Sequence, residues 1–169
     1  MTMKLKVLPS AQTDAPWYAD GLKFTCAQCG NCCTGAPGYV WVSDEELTRL
    51  AEFLKLSVEE TTQRYCRRIG SRLSLKEHRT PQGQYDCIFL QEVKLRGGHV
   101  KKVCSVYDVR PLQCRTWPFW DGLLSSKKAW DEAGKRCHGI NQGSRKFTRN
   151  QIESLRDATD WPDHPPTSK

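Results

Sequence analysis

The chain has 169 residues, 38% of them hydrophobic, with no apolar run near the ~18 residues of a membrane span. One compact domain with its own core is the expected organisation, and membrane insertion is not. The formal charge of +7 counts nine cysteines as neutral; were eight of them thiolates around two doubly charged centres, the total would fall to about +3. Lys101-Lys102, Lys127-Lys128 and Arg67-Arg68 are scattered pairs, so they read as a solvated surface and not as a nucleic-acid patch.

Residues 1–23 read as an irregular N-terminal arm. Met1 to Pro16 has neither the apolar stretch nor the small-residue cleavage site of an export signal, which points to the cytoplasm. Phe24 to Pro37 is a loop that carries Cys26, Cys29, Cys32 and Cys33 in a C-x2-C-x2-C-C run. Thiolates three positions apart can wrap an ion or cluster from a tight turn, with intervening backbone N–H groups aimed at the sulfurs. Gly30 and Gly35 allow the close backbone approach this needs. Tyr39 to Val42 is a short β-prone run. Ser43-Asp44-Glu45-Glu46 then forms a capping box, predicting a helix whose stripe is Leu47, Leu50, Ala51 and Leu54. A second box, Ser57-x-x-Glu60, predicts a helix with Val58, Thr61 or Thr62, Tyr65 and Ile69 facing inward. Cys66 sits beside that stripe and reads as a buried free thiol.

From Arg72 the pattern becomes extended. Leu73 to His78 and Tyr85 to Leu90 flank Thr80-Pro81-Gln82-Gly83 as one hairpin carrying Cys87. Val93 to Arg96 and His99 to Val103 flank Gly97-Gly98 as another, with Cys104 at its end. Pro111 opens a short helix bearing Cys114, and Pro118 stops it. Ser126 to Ala133 and Thr148 to Ala158 are further helices, the latter with Ile152 and Leu155 inward, and Trp161 to Lys169 is a Pro-rich tail. The predicted fold is α+β: a small single domain with short helices and β-hairpins organised around cysteine-ligated metal. Residues 24–140 form the metal-binding part, and 141–169 the C-terminal helix and tail.

A disulfide scaffold is disfavoured because nine cysteines are odd in number, fall below the ~8–10% of secreted stapled chains, and include an adjacent pair that is hard to bridge. Cys26, Cys29, Cys32, Cys33, Cys87, Cys104, Cys114 and Cys137 are the candidate metal ligands. They divide naturally into two four-thiolate sites, which two [4Fe–4S] clusters, a cluster plus Zn2+, or two Zn2+ would satisfy. The C-x2-C-x2-C triple leans towards iron–sulfur, although the fourth ferredoxin-like position is Ala36, followed by Pro37. Cys33 can join the centre of Cys32 only through a kink; otherwise it feeds a second centre. Arg110 and Arg115 flank Cys114 and are candidates to hydrogen-bond the thiolates, offset their charge, or pair with Asp108. Tyr107, Trp117, Phe119 and Trp120 are candidates to seal the centre or simply to pack. His138, beside Cys137, is a lesser ligand candidate, and His78, His99 and His164 are given no role. The chain lacks the phosphate-loop, dinucleotide, HExxH and GxSxG motifs and any evident nucleophile–base pair.

Cys26-x2-Cys29-Gly30-x-Cys32-Cys33, Cys87-x-Phe89-Leu90, Cys104-x-x-Tyr107-x-x-Arg110-Pro111-x-x-Cys114-Arg115-x-x-Pro118 and Cys137-x-Gly139 together resemble the YkgJ-type cysteine-cluster family, over roughly residues 24 to 140. The resemblance implies a small cytosolic zinc- or iron-chelating protein. A related cluster occurs in flagellin lysine methylases, so methyl transfer is a third functional class, although no nucleotide loop for S-adenosylmethionine is recognisable. The chain departs from the family pattern in the stretch Gln91 to Val103 and in having Cys66. The leading expectation is one or two [4Fe–4S] clusters with an electron-transfer or cluster-dependent role and a redox or protein partner; the alternative is a structural zinc module.

Overall fold

The structure, a computed structural model, describes residues 15–158. Most of the N-terminal arm, the Pro-rich tail and His164 lie outside the described residues. A turn over Trp17 to Asp20 leads into β1 (Leu22–Lys23), and the cysteine loop follows with a 3-10 turn at Asn31–Cys33. Then come β2 (Thr34–Gly35), β3 (Trp41–Val42), α1 (Asp44–Leu54) and α2 (Val58–Tyr65). Both helices carry the reciprocal capping boxes that Ser43 and Ser57 predict, so their first N–H groups are satisfied locally. Leu47, Leu50 and Ala51 are buried as the stripe requires.

The predicted second helix ends earlier than its stripe. Cys66 to Ile69 is strand β4, paired antiparallel with β5 (Arg72–Leu75) across a turn in which Gly70 takes φ +57°. Cross-strand pairing with β5 satisfies those backbone groups. Thr61, fully buried, and not the exposed Val58, fills the inner face of α2. Cys66 is buried, as expected.

The extended run Leu73 to His78 is also divided. β5 pairs with β3 and β4, whereas β6 (Glu77–Arg79) forms the hairpin with β7 (Tyr85–Cys87), which also pairs with β2. β8 (Leu90–Lys94) and β9 (Val100–Cys104) make the second predicted hairpin. The chain continues through α3 (Leu112–Thr116), α4 (Asp121–Leu124), α5 (Lys127–Arg136), β10 (Lys146–Phe147) and α6 (Arg149–Asp157). α4 was not predicted, and α5 runs one turn past Ala133 to deliver Cys137 as its C-cap. The fold is α+β, with several small antiparallel sheets.

Two apolar clusters hold these pieces. Tyr18, Leu22, Phe24, Phe119, Trp130, Phe147 and Ile152 form one, joining the N-terminal segment to α5, β10 and α6. Val42, Leu47, Leu50, Cys66, Leu75, Phe89 and Val106 form the other, beneath α1 and the hairpins. Cysteines reach both: Cys137, with Trp117, packs against the first cluster, and Cys87 and Cys104 pack against the second.

Candidate metal centre

Each cysteine is delivered by a separate local device. In the loop, Gly30 adopts φ +75° and its bare Cα lies against the hairpin; a Cβ there would come within 2.8 Å of Leu90 Cδ1 and 3.0 Å of Lys102 Cβ. From Gly30 the 3-10 turn closes with Cys33 N donating to Gly30 O at 2.9 Å. Cys87 ends β7 and Cys104 ends β9. The backbone N–H groups two positions on, of Phe89 and Val106, act to lower the pKa of these two thiols, the effect of an N–H aimed at a thiolate.

Cys114 is placed by side chains that motif spacing does not reveal. Gln113 Oε1 accepts the Trp41 N–H at 2.8 Å, and Gln113 Nε2 donates to Tyr39 O at 3.0 Å. Glu46 is 6% exposed. It accepts the Ser43 N–H of its own capping box and, with its other oxygen, the Leu112 N–H at the start of α3. At the far side, Asn31 Nδ2 donates to Arg136 O at 2.9 Å, and Arg136 Nη2 donates to Thr34 O at 3.1 Å. These bonds tie the end of α5, and with it Cys137, to the cysteine loop.

These devices converge. All eight candidate ligands, Cys26, Cys29, Cys32, Cys33, Cys87, Cys104, Cys114 and Cys137, line one cavity of about 110 Å³, and Cys66 does not. Arg110, Arg115, Tyr107 and Trp117 share the wall, whereas His138 does not reach it. All nine cysteines are free thiols. The sulfurs of Cys32 and Cys33 are 3.8 Å apart. Among the described residues, no three Cys, His, Asp or Glu side chains are drawn together as tightly as a single bound ion would hold them.

Electrostatics are dominated by crowded sulfur. The hydrogen bond from Cys33 lowers Cys32 to about 7 against the opposing burial, with help from its own backbone N–H and from Arg110. Cys33, which supplies that proton, is pushed up by the same bond and then by burial. Burial raises Cys87 to about 11, with the charges of Cys104 and Cys32 adding to it. Burial also raises Cys104 and Cys114, and the neighbouring thiols add to both. Arg110 opposes the rise at Cys104 and Cys114. A cavity of this kind resists several thiolates unless a cation enters with them.

The flanking arginines differ from the expected arrangement. Arg110 lies over the Tyr107 ring, 3.8 Å from its centroid, and donates to Tyr107 O. Arg115 pairs with Glu46 at 3.7 Å. Neither pairing involves Asp108. Trp117 Nε1 is buried with no acceptor among the described residues. An orphaned donor costs about 1–3 kcal/mol, and a thiolate or sulfide acceptor would remove that cost.

The donor set therefore suits a soft or borderline metal: eight thiols, with no carboxylate or imidazole in the wall. The profile of the CxxCxxCC family, described as a candidate zinc- or iron-chelating domain, matches residues 25–142. The chain belongs to the CxxCxxCC family. Among curated proteins it is 33% identical over 102 residues to an uncharacterised protein of Methanocaldococcus jannaschii, MJ0661, a match covering 60% of this chain and 48% of that protein. The chain thus spans about half the length of the relative it matches. No solved structure matches it. Within the CxxCxxCC domain the cavity-lining cysteines were legible from spacing. Glu46, Gln113 and Asn31 were not; the one sequence cue was a polar residue beside Cys114, which by itself does not distinguish a clamp from a surface side chain.

Proposed function

We propose that this CxxCxxCC protein holds iron–sulfur through its eight cavity thiols and serves in electron transfer or cluster-dependent chemistry. The observation that carries this reading is that all eight thiols line a single cavity of about 110 Å³. That is several times the ~10–15 Å³ that one water needs, which suits a polynuclear group better than one ion. An iron–sulfur centre supplies one-electron exchange and accepts hydrogen bonds at its sulfurs. This chain's residues would hold it with thiolates, donate to sulfur from the Phe89 and Val106 N–H groups and from Trp117 Nε1, and offset charge with Arg110. The aromatic wall of Tyr107 and Trp117 would limit water. Nine free thiols fit a reducing compartment such as the cytoplasm.

One observation favours a second reading, a zinc module with a structural role. The 3.8 Å separation of Cys32 and Cys33 sulfurs matches the edge of a tetrahedron built on metal–sulfur bonds of ~2.3 Å, which is about 3.8 Å. Metal placed between the two apolar clusters would fasten them together, and binding free energy would then be folding free energy. Iron, zinc and acid-labile sulfide per chain, measured on protein purified without oxygen, decide between the two. Iron with matching sulfide supports the cluster, and zinc without iron or sulfide replaces it with the structural module.

A further inference from the structure

The β8–β9 hairpin is more than a carrier of Cys104. Its strands pair from Leu90↔Cys104 to Lys94↔Val100 and form a two-stranded sheet, so neither outer edge has a strand neighbour among the described residues. Val93, Leu95 and Val100 on it are 41%, 48% and 55% exposed, three of the five large exposed apolar residues among those described. Between Gln91 and Val103 the chain carries Lys94, Arg96, Lys101 and Lys102 against the single carboxylate of Glu92. Lys102 is occupied by Asp86 at 3.0 Å, while Lys94, Arg96 and Lys101 make no ion pair among the described residues.

Exposed apolar side chains, open strand edges and unpaired cations on one projecting element describe a recognition surface. We propose that the β8–β9 hairpin docks a partner protein through an acidic, extended segment of that partner, with apolar residues between its carboxylates. The segment's backbone would meet a free strand edge, its carboxylates Lys94, Arg96 and Lys101, and its apolar residues Val93 and Leu95. A second copy of this chain is a poor occupant because two basic hairpins would face each other. A lipid surface is a poor occupant because it offers no aligned N–H and C=O groups to the edges. The site is coupled to the centre by construction: Val103 lines the thiol cavity, Cys104 terminates β9, and Leu90 and Lys102 rest on Gly30. The proposal rests on the surface alone and holds whichever metal the cavity takes.

The test uses the full metal-loaded chain and a fluorescein-labelled peptide of alternating Glu and Val, with its Lys/Val counterpart and phosphatidylserine vesicles as comparators. Fluorescence anisotropy at low and high salt reads binding, and metal content of every variant reads folding. The acidic peptide is expected to bind, to weaken with salt, and to lose about tenfold in affinity in both K94E/K101E and V93S/L95S with metal content unchanged. K94Q/K101Q provides a milder change should the charge reversal disturb folding. No binding of the acidic peptide at low salt, equal binding of the Lys/Val peptide, or stronger binding to vesicles would each overturn the proposal. So would unaltered binding by both lysine variants, since the lysines would then only guard the open edges.

Discussion

Cys32 and Cys33 are neighbours in sequence, and their sulfurs lie 3.8 Å apart against one cavity wall. Adjacent side chains in extended backbone diverge, so this closeness is made by the 3-10 turn that Gly30 opens at φ +75°. The pair shares a hydrogen bond in which Cys33 keeps its proton and Cys32 gives its proton up near pH 7. In metal-free protein, Cys32 is therefore the expected first site of alkylation at neutral pH, ahead of Cys114, Cys87 and the buried Cys66. Peptide mapping after brief iodoacetamide treatment checks this; earliest label on Cys33 would reverse the assigned donor–acceptor order.

Replacing Cys66 and replacing Cys29 should have opposite consequences. Cys66→Ser puts a hydroxyl into the apolar cluster under α1, with an expected loss of about 1–2 kcal/mol and unchanged metal content. Cys29→Ser removes a cavity thiol and should lower metal content by a whole centre. Metal analysis beside urea denaturation separates the two, and equal metal losses from both would sink the ligand assignment.

The thiols give the metal-free protein a signed pH dependence. Cys87, raised to about 11, and Cys33, Cys104 and Cys114, raised as well, hold protons that the unfolded chain gives up near pH 9. Their stabilisation is complete below pH 9 and fades as pH rises through their folded values. Cys32, lowered to about 7, has the opposite sign: its contribution is present above pH 9 and fades as pH falls through 7. Metal-free stability should therefore decline between pH 9 and 11, while metal affinity rises with pH because binding displaces thiol protons. Denaturation across pH, with and without metal, tests both signs.

Arg110 and Arg115 should separate in function. Arg110 opposes proton retention at Cys32, Cys104 and Cys114, whereas Arg115 is engaged by Glu46. Arg110→Gln should move the pH of half-maximal Co2+ uptake upward, read by thiolate-to-metal absorption, and Arg115→Gln should move it less. Equal shifts would mean that neither charge is specific to the thiols.

Two supports of the cavity can be tested without touching a thiol. Gly30→Ala should cost about 1–2 kcal/mol from its left-handed backbone alone, and the clash with Leu90 and Lys102 should displace the hairpin and weaken metal binding. Glu46→Ala removes a capping partner and a buried acceptor for the Leu112 N–H, for an expected loss of about 2–3 kcal/mol. Metal affinity measured by chelator competition should fall in both; unchanged affinity would show that α3 and the hairpin are held by other contacts.

The sequence by itself determined whatever is encoded over a few residues: the capping boxes at Ser43 and Ser57, the turns at Thr80 to Gly83 and at Gly97-Gly98, and the C-x2-C-x2-C-C run of Cys26 to Cys33. These are local because caps, turns and short cysteine spacings are set within a turn or two of backbone. Only the tertiary structure decided that Cys66 to Ile69 leaves the helix for a strand and that Glu46 and Gln113 hold α3. It also decided that Arg115 faces Glu46 and that thiols from the loop, two hairpins and two helices line one cavity. Those outcomes depend on which distant backbone groups and charges meet, and no local pattern carries that information. Cys32 and Cys137 are 105 positions apart, and contacts between the cysteine loop and the end of α5, Asn31 to Arg136 O and Arg136 to Thr34 O among them, help to bring them to one wall.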